Sequence, residues 1–166
     1  MAEVDDWNQW LDRHGRTLLL LARQWTANND EAADAMQEAF VRFWSRRKSA
    51  VDPTAYLYAC LKRSAVDQHR QVNRRRRRER AVAREEGVDH WLSASDAADP
   101  RIGEIEAALR ELPEDQCEVL TMKIWGRLTF EQIGAALEIS PSTAASRYRY
   151  ALEKLRVMLG AKEGVS

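Results

Sequence analysis

Residues 129–155 read TFEQIGAALEISPSTAASRYRYALEKL, and this stretch predicts two short helices joined by a tight turn. Thr129 and Gln132 form a capping-box pattern, in which the two side chains satisfy each other's helix-terminal N–H groups. Ser140 and Pro141 mark a second start, because serine caps a helix and proline is tolerated at its first position. Helices are therefore expected at 129–138 and from Pro141 to about Leu159, as a helix-turn-helix.

The second of these helices carries an outward side suited to DNA. Hydroxyl groups and the first-turn N–H groups bind phosphate, and a guanidinium group can bridge two acceptors on a guanine edge. Arg147 is the best base-reading candidate, and an amphipathic hairpin with a solvated polar face is the alternative. The outward residues are Ser142, Thr143, Ser146, Arg147, Arg149 and Tyr150. The inward residues are expected to be Ile133, Leu137, Ile139, Ala144, Tyr148, Leu152 and Leu155.

Three further helices are predicted in the N-terminal half. Asn29 and Asp30 can cap the second of them, and Asp52-Pro53 is a strong start signal for the third, which continues toward the Arg-rich tract. The first has apolar residues at spacings of three, four and seven: Trp7, Trp10, Leu11, Leu18, Leu21, Ala22 and Trp25. The apolar stripe of the second is expected at Ala33, Met36, Phe40 and Trp44, with Asp34, Gln37, Glu38 and Arg42 elsewhere.

Basic residues are concentrated in one part of a chain whose formal net charge is zero. Arg42 to Arg84 holds fourteen Lys or Arg and three acids, a local potential that attracts polyanions. An unbroken third helix would place Arg63, Arg70, Arg74 and Arg77 on one face. Such a ridge could follow a phosphate backbone while Tyr56, Tyr58 and His69 stack on bases. A solvated, salt-paired helix is the alternative, and the tract from Arg74 to Arg78 could also be a flexible basic arm.

The C-terminal half begins after a change of composition between Arg74 and Pro100 that is typical of a linker, although Trp91-Leu92 could dock on a domain. Ile102, Ile105 and Leu109 mark a helix that Leu112-Pro113 interrupts, and Val119, Leu120 and Ile124 mark the next. Gly126 is a plausible stop, since glycine permits a left-handed backbone. The predicted fold is all-α, with one small helical domain at 1–75, a linker at 76–100 and a helix-turn-helix domain at 101–166.

Several classes of protein are disfavoured. The sequence has no Gly-rich phosphate loop, no H-E-x-x-H and no nucleophile elbow, and its three histidines lack metal-like spacing. No catalytic site, metal or cofactor is therefore expected. Leu18 to Ala22 is far too short to span a bilayer, so no membrane insertion and a cytoplasmic location are predicted. Cys60 and Cys117 are expected to be buried free thiols.

Four segments in order resemble the extracytoplasmic-function group of the sigma-70 family, bacterial RNA polymerase sigma factors. They are residues 30–44, DEAADAMQEAFVRFW; the segment from Ala55-Tyr-Leu-Tyr58 to Val66-Asp67; Leu112-Pro-Glu-Asp-Gln116; and Ser140-Pro-Ser-Thr-Ala-Ala-Ser-Arg147. The resemblance covers nearly the whole chain. It implies a helical region two, a linker and a helix-turn-helix region four, without a catalytic site.

The resemblance also implies partners and roles for particular residues. Asp34, Gln37 and Glu38 would dock on the clamp helices of the largest polymerase subunit, and region four would meet the flap of the second-largest. The third helix would bind the minus-ten promoter element through Tyr56, Arg63, Asp67, Arg70, Arg74 and Arg77. Region four would bind the minus-thirty-five element through Thr129, Ser142, Thr143, Ser146, Arg147, Arg149 and Tyr150.

The sequence departs from the family pattern at three places. Arg63-Ser64 stands where an Arg-Asn pair is usual, Glu138 where glycine is frequent, and Tyr150 where arginine is frequent. These departures leave open which side chain meets which base. An anti-sigma partner that masks these surfaces is a subsidiary hypothesis, because the chain shows no sensory domain. The alternative function is a stand-alone helix-turn-helix regulator, which would bind paired half-sites as a dimer.

Overall fold

The structure, a computed structural model, describes residues 2–79 and 100–163 of the chain. Within these two ranges the regular structure is entirely helical, which confirms the predicted all-α class, and no helix there is long and apolar enough to cross a membrane. The linker predicted at 76–100, with Trp91 and Leu92, lies almost wholly outside the described residues. The helices are α1 (Ala2–Trp25), α2 (Asn29–Arg46), α3 (Pro53–Glu79), α4 (Pro100–Glu111), α5 (Glu114–Ile124), α6 (Phe130–Leu137) and α7 (Pro141–Glu163), and a 3₁₀ turn (Arg47–Ser49) follows α2.

Three of the predicted helix starts are confirmed by their capping hydrogen bonds. The carboxylate of Asp52 accepts from the backbone N–H of Ala55 at 3.1 Å, where α3 begins. Thr129 and Gln132 form the reciprocal capping box of α6. The backbone N–H of Thr143 donates to Ser140 Oγ at 3.1 Å, where α7 begins.

The start of α2 is one residue earlier than predicted. Asn28, not Asn29, is the cap, and its side chain accepts from the backbone N–H of Glu31 at 2.9 Å. Glu31 in turn accepts from the backbone N–H of Ala27 at 3.0 Å. Asn28 keeps an extended backbone (φ −153°, ψ 172°) while Asn29 is already helical, so the Asn28 side chain alone has the geometry of a cap.

The buried stripe of α2 also differs from the prediction. Its fully buried residues are Ala32, Ala35, Ala39 and Phe43, whereas Met36 and Phe40 only border the core, and Ala33 and Trp44 are exposed. Both sets have helical spacing, so periodicity alone does not separate them. Three of the four buried apolar residues are alanines, whose small side chains permit close packing with α3, the helix that α2 contacts most extensively.

Gly126 ends α5 for a different reason from the one predicted. It does not have a positive φ; the left-handed residue of this connection is Arg127, with φ 54°. Gly126 is needed for space, since a Cβ there would lie 2.6 Å from the backbone oxygen of Met122 and 2.8 Å from Leu128 Cδ1. Glu138, at the turn before α7, is left-handed (φ 58°, ψ 42°), which costs a non-glycine residue about 1–2 kcal/mol.

The apolar core continues from the N-terminal helices into the C-terminal ones. One cluster contains Leu18 and Trp25 of α1, Leu61 of α3, Val119 of α5 and Ile133 of α6. A second cluster is confined to α4, α5 and α7 and includes Leu109, Leu120 and Ala151. Leu152 and Leu155 border this second cluster rather than packing on the first helix of the helix-turn-helix as predicted. Helices α5 and α6 are therefore packed against α1 and α3 as well as against α7.

Both cysteines are buried free thiols, as predicted. Burial is the main cause that raises the pKa of the Cys117 thiol, to about 12, and it also raises the pKa of Cys60. Protonated thiols are poor nucleophiles and poor metal ligands, so both residues act as small apolar side chains of the core.

Candidate nucleic-acid interface

The basic ridge lies on an unbroken helix. Since α3 extends to Glu79, the tract from Arg74 to Arg78 is helical and not a separate arm. Arg63, Arg70 and Arg74 are exposed, and their spacing of seven and four residues keeps them close to one face. Arg77 lies on the same helix, but its side chain is outside the described residues. The exposed guanidinium groups can line up along a phosphate backbone.

The aromatic residues predicted beside this ridge are differently placed. Tyr58 is fully buried, and its hydroxyl lies 3.1 Å from His14 Nδ1, so the prediction that it stacks on bases is wrong. Tyr56 is half-buried against Phe43, with ring centroids 6.0 Å apart, and its hydrogen bond with Cys60 is the main cause that raises its pKa. Of the three residues, His69 is the most exposed.

An ion-paired arginine connects the ridge with α2. Arg42 Nη2 lies 2.6 Å from Glu38 Oε1 on its own helix and 3.4 Å from Asp67 Oδ2 on α3. All three side chains are more than a third exposed, so the pairs contribute little to stability. Arg42 thus links Glu38, which the family resemblance assigns to polymerase binding, with Asp67, which it assigns to promoter binding.

The acidic face of α2 is open. Asp34 and Gln37 are exposed and Glu38 is half-buried, so all three lie on the side of α2 that faces away from the core. Two apolar residues extend this face, Val41 with 72% and Trp44 with 47% of their surface exposed. The sequence prediction missed Val41 and assigned Trp44 to the apolar stripe of α2. Exposed apolar residues beside acidic and amide groups suit a protein partner with a basic rim.

Helix α7 carries near its start the hydroxyl groups that the sequence predicted. Ser142 is exposed, Thr143 and Ser146 are half-buried, and Ser140 Oγ donates to Thr143 Oγ1 at 2.8 Å. Thr129 uses its hydroxyl as the cap of α6, accepting from the backbone N–H of Gln132 at 3.1 Å. The hydroxyl groups of Ser140 and Thr143 are therefore ordered by capping at the helix start where a phosphate is favoured.

Arg147 of α7 forms an ion pair with a residue of α5. Its Nε lies 3.5 Å from Asp115 Oδ2 of α5, and both side chains are partly exposed. Further along α7, Arg149 lies over the ring of Tyr150, with its Cζ 5.3 Å from the ring centroid. Both of these residues are exposed. The structure thus places Arg147 beside a carboxylate that can orient it, and Arg149 over the ring of its neighbour Tyr150.

A groove of about 430 Å³ separates the basic face of α3 from the C-terminal end of α6. On one side it is lined by Lys62, Arg63, Asp67 and Arg70. On the other side lie Ala136, Leu137 and Glu138. The turn of the helix-turn-helix therefore faces the helix that carries the ridge.

A buried carboxylate at the contact between the two helical groups was not predicted. Glu118 is 6% exposed; Trp25 Nε1 donates to its Oε2 at 2.9 Å, and Lys62 Nζ at 2.7 Å. Burial is the largest cause of the raised pKa of Glu118, and it outweighs the hydrogen bond and charge of Lys62. A sequence signal existed, since Glu118 interrupts the otherwise apolar run from Cys117 to Leu120.

Two family descriptions match the chain in order. Sigma-70 region 2 matches residues 10–76, which cover most of α1 to α3, and Sigma-70 region 4 matches residues 102–155, which cover α4 to most of α7. The chain is 30% identical to the ECF RNA polymerase sigma factor SigE of Mycolicibacterium smegmatis, over 93% of this chain and 62% of that protein. The chain thus spans less than two thirds of SigE. It is 29% identical to the RNA polymerase sigma factor CarQ of Myxococcus xanthus, over 91% and 87%.

Two solved structures share the fold. The sigma factor RpoE of Bartonella quintana, in complex with the anti-sigma factor NepR, superposes with a TM-score of 0.73 and 21% identity, over 93% of this chain and 97% of that one. CnrH, in complex with the cytosolic domain of CnrY, superposes with a TM-score of 0.62 and 22% identity, over 93% and 87%.

Proposed function

We propose that this chain, which belongs to the extracytoplasmic-function group of the sigma-70 family, directs core RNA polymerase to specific promoters. The observation that carries the proposal is the order of its two halves. A helical group with a basic ridge on α3 matches region two, and a helix-turn-helix follows it that matches region four. Two DNA-facing elements on one chain suit a protein that contacts two promoter elements at once.

The proposed roles follow the division into residues 1–75, a linker at 76–100 and residues 101–166. Asp34, Gln37 and Glu38 would meet the clamp helices of the largest polymerase subunit, and their exposure on the outer side of α2 supports this role. Val41 and Trp44 would add apolar area to that contact. The C-terminal part would meet the flap of the second-largest subunit.

The proposed minus-ten contacts are made by the exposed ridge of α3. Arg63, Arg70 and Arg74 are supported by their exposure, whereas Tyr56 would need to leave its contact with Phe43 before it could stack on a base. Asp67, once released from its ion pair with Arg42, would accept a hydrogen bond from a base amino group. Arg77 is proposed from its position on α3 alone.

The proposed minus-thirty-five contacts are made by the start of α7. Ser142, Thr143 and Ser146 would bind phosphate, and Arg147, oriented by Asp115, would read a base edge. Thr129 would donate its hydroxyl hydrogen to a phosphate, because its Oγ1 only accepts in the α6 cap while its backbone N–H is already bonded to Gln132 Oε1. Arg149 and Tyr150 would contact the sugar-phosphate backbone.

The proposal is tested by reconstitution with core polymerase and transcription from a library of promoter fragments. We expect a one-to-one complex, initiation at a subset of fragments with two shared elements, and little promoter binding by the chain alone. Asp34→Ala combined with Gln37→Ala should weaken the complex, while Glu153→Ala on α7 serves as the control. A purified chain that bound a palindrome as a dimer and never joined polymerase would instead identify a stand-alone regulator.

Three further parts of the proposal concern partners and location. We propose an anti-sigma partner, because the sigma factor RpoE, which shares this fold, was solved in complex with the anti-sigma factor NepR. A pull-down from the native host under non-inducing conditions that recovers no such partner would refute this part. The chain would act in the cytoplasm, where polymerase lies, and would contribute no catalytic group to the polymerase reaction.

A further inference from the structure

We propose that Trp25, Lys62 and Glu118 form a latch that closes α5 and α6 over α3, and that the closed form keeps nucleic acid off the basic ridge. The three residues come from α1, α3 and α5, so the latch joins the region-two helices to the region-four helices. The proposal goes beyond the proposed function and rests on it only in treating the ridge as a nucleic-acid site.

The first support is the hydrogen bonding of Glu118. Its Oε2 accepts from Trp25 Nε1 at 2.9 Å and from Lys62 Nζ at 2.7 Å. Lys62 also lies 4.5 Å from the centroid of the Trp25 ring, so the three side chains contact one another. A carboxylate that is 6% exposed requires such donors, because an uncompensated buried charge is strongly unfavourable.

Two more polar contacts cross the same boundary. Gln24 Nε2 donates to Thr121 Oγ1 at 2.9 Å, beside the latch. Gln132 Nε2 donates to Asp52 Oδ2 at 3.2 Å, so the side chain that completes the α6 capping box also contacts the cap of α3. Apolar burial accompanies these bonds, since Leu61 of α3 and Ile133 of α6 belong to one core cluster.

Closure places protein where nucleic acid would need to lie. Leu137 and Glu138 at the end of α6 face Arg63 and Arg70 across the 430 Å³ groove. A strand that followed the ridge would have to enter this groove, where the carboxylate of Glu138 repels phosphate. Solvent can therefore reach the exposed guanidinium groups of Arg63 and Arg70, whereas the end of α6 obstructs the approach of a nucleic-acid strand.

The latch should be weakened by removing its donors while the carboxylate remains. Trp25→Phe removes one N–H group but keeps a ring, and Lys62→Met removes the counter-ion but keeps an apolar stem. Losing one hydrogen bond to a charged group shifts such an equilibrium by on the order of tenfold. Because apparent affinity scales with the competent fraction, the Kd of the free chain for nucleic acid should fall by a similar factor.

The experiment uses the full chain without polymerase. The Kd for a fluorescein-labelled single-stranded oligonucleotide of mixed sequence is measured by anisotropy, and the radius of gyration by small-angle X-ray scattering. Lys123→Met is the matched control, since Lys123 Nζ also donates to a carbonyl and lies over an aromatic ring, but within α5 and α6. Lys62→Met is read by scattering, because its lost charge itself weakens DNA binding.

We expect Trp25→Phe to lower the Kd about tenfold, Lys62→Met to increase the radius of gyration, and Lys123→Met, its control, to leave the radius of gyration unchanged. Equal Kd values for the original chain and for Trp25→Phe, with circular dichroism showing both folded, would overturn the proposal. A larger radius of gyration for Trp25→Phe without tighter binding would also overturn it, since the closed form would then not mask the ridge. If Lys62→Met does not fold, the Kd of Trp25→Phe alone tests the proposal.

Failure of the latch is distinguishable from failure of the proposed function. The oligonucleotide measurement contains no polymerase, and its result stands whatever the chain does with core enzyme. If no variant initiates transcription but Trp25→Phe binds DNA more tightly, the sigma proposal fails and the latch remains. If transcription succeeds and the Kd values are equal, the latch fails and the sigma proposal remains.

Discussion

Gly126 lies so close to Tyr58 that a Cβ built on the glycine would be 3.0 Å from the tyrosine hydroxyl oxygen. The two residues belong to different helical groups, since Gly126 follows α5 and Tyr58 is in the middle of α3. Tyr58 is fully buried and bonded to His14, so it has little room to move aside. A missing side chain in one half of the chain thus makes space for a polar group of the other half.

Gly126→Ala is expected to destabilise the fold. The added methyl group would meet Met122 O, Leu128 Cδ1 and the Tyr58 hydroxyl, and overpacking of this kind costs about 1–3 kcal/mol. Gly103→Ala is the matched control, because nothing lies within 4 Å of its Cβ position and alanine favours a helix over glycine by about 1 kcal/mol. Urea unfolding should therefore show opposite signs for the two variants. A neutral Gly126→Ala would mean that the α5–α6 connection is not tightly packed against α3.

Local signals in the sequence predicted the helix starts well, because a cap is decided within four residues. Asp52, Thr129 and Ser140 all make the backbone bonds expected of them. The predicted cap of α2 was one position too late, because Asn28 and Asn29 have the same side chain and the sequence does not distinguish them. Only the backbone conformation distinguishes them.

Contacts between distant segments could not be predicted in the same way. The stripe of α2 was predicted at Ala33, Met36, Phe40 and Trp44, yet the buried stripe is Ala32, Ala35, Ala39 and Phe43, because the packing of α3 decides which face is covered. Tyr58 was expected to stack on bases beside the basic ridge of its helix, but it is buried with a partner, His14, that lies 44 residues earlier. Glu118 could be noticed as an acid in an apolar run, but Trp25 and Lys62 could not be named as its donors. Helical periodicity predicts which residues share one face of a helix, but it does not predict which other residues pack against that face.

His14 should make the fold sensitive to acid. Burial is the main cause that lowers its pKa, and the neighbouring Arg13 lowers it further. The unfolded chain binds a proton at the ordinary value near 6.5, while the folded chain resists it, so stability is lost as pH falls from there through the lowered folded pKa. Between about pH 7.5 and 5.5, the free energy of urea unfolding should fall less steeply for His14→Gln than for the exposed His69→Gln. Equal slopes in the two variants would contradict the prediction.

The latch should respond to pH in the opposite direction. Burial raises the pKa of Glu118 despite Lys62 on α3 and Trp25 on α1, and Glu114 on its own helix also raises it. The closed form therefore binds a proton more tightly than the open form. This contribution to closure is full below the ordinary pKa near 4.5 and is lost as pH rises through the raised value.

The measurement is the radius of gyration of the free chain as a function of pH. Rising pH should open the original chain, while Glu118→Gln, which stays neutral, should lose this part of the pH response. Glu106→Gln is the control, because Glu106 is equally buried and its ion pair with Arg110 lies within α4. If Glu118→Gln and Glu106→Gln respond to pH alike, Glu118 is not the group that titrates.

Arg147 should determine one position of the minus-thirty-five element. If its guanidinium group bridges a guanine edge, Arg147→Ala should cost about 1–3 kcal/mol of discrimination at that base pair. Asp115→Asn should have a smaller effect at the same position, since the ion pair at 3.5 Å orients Arg147 but is partly exposed. Arg156→Ala is the control, because Arg156 is exposed on α7 about two and a half turns further on and so on the opposite side. Transcription by the reconstituted polymerase from promoters randomised at each position measures the base preference at that position. A uniform loss across all sequences would show a phosphate contact instead, because only base contacts change the preferred sequence.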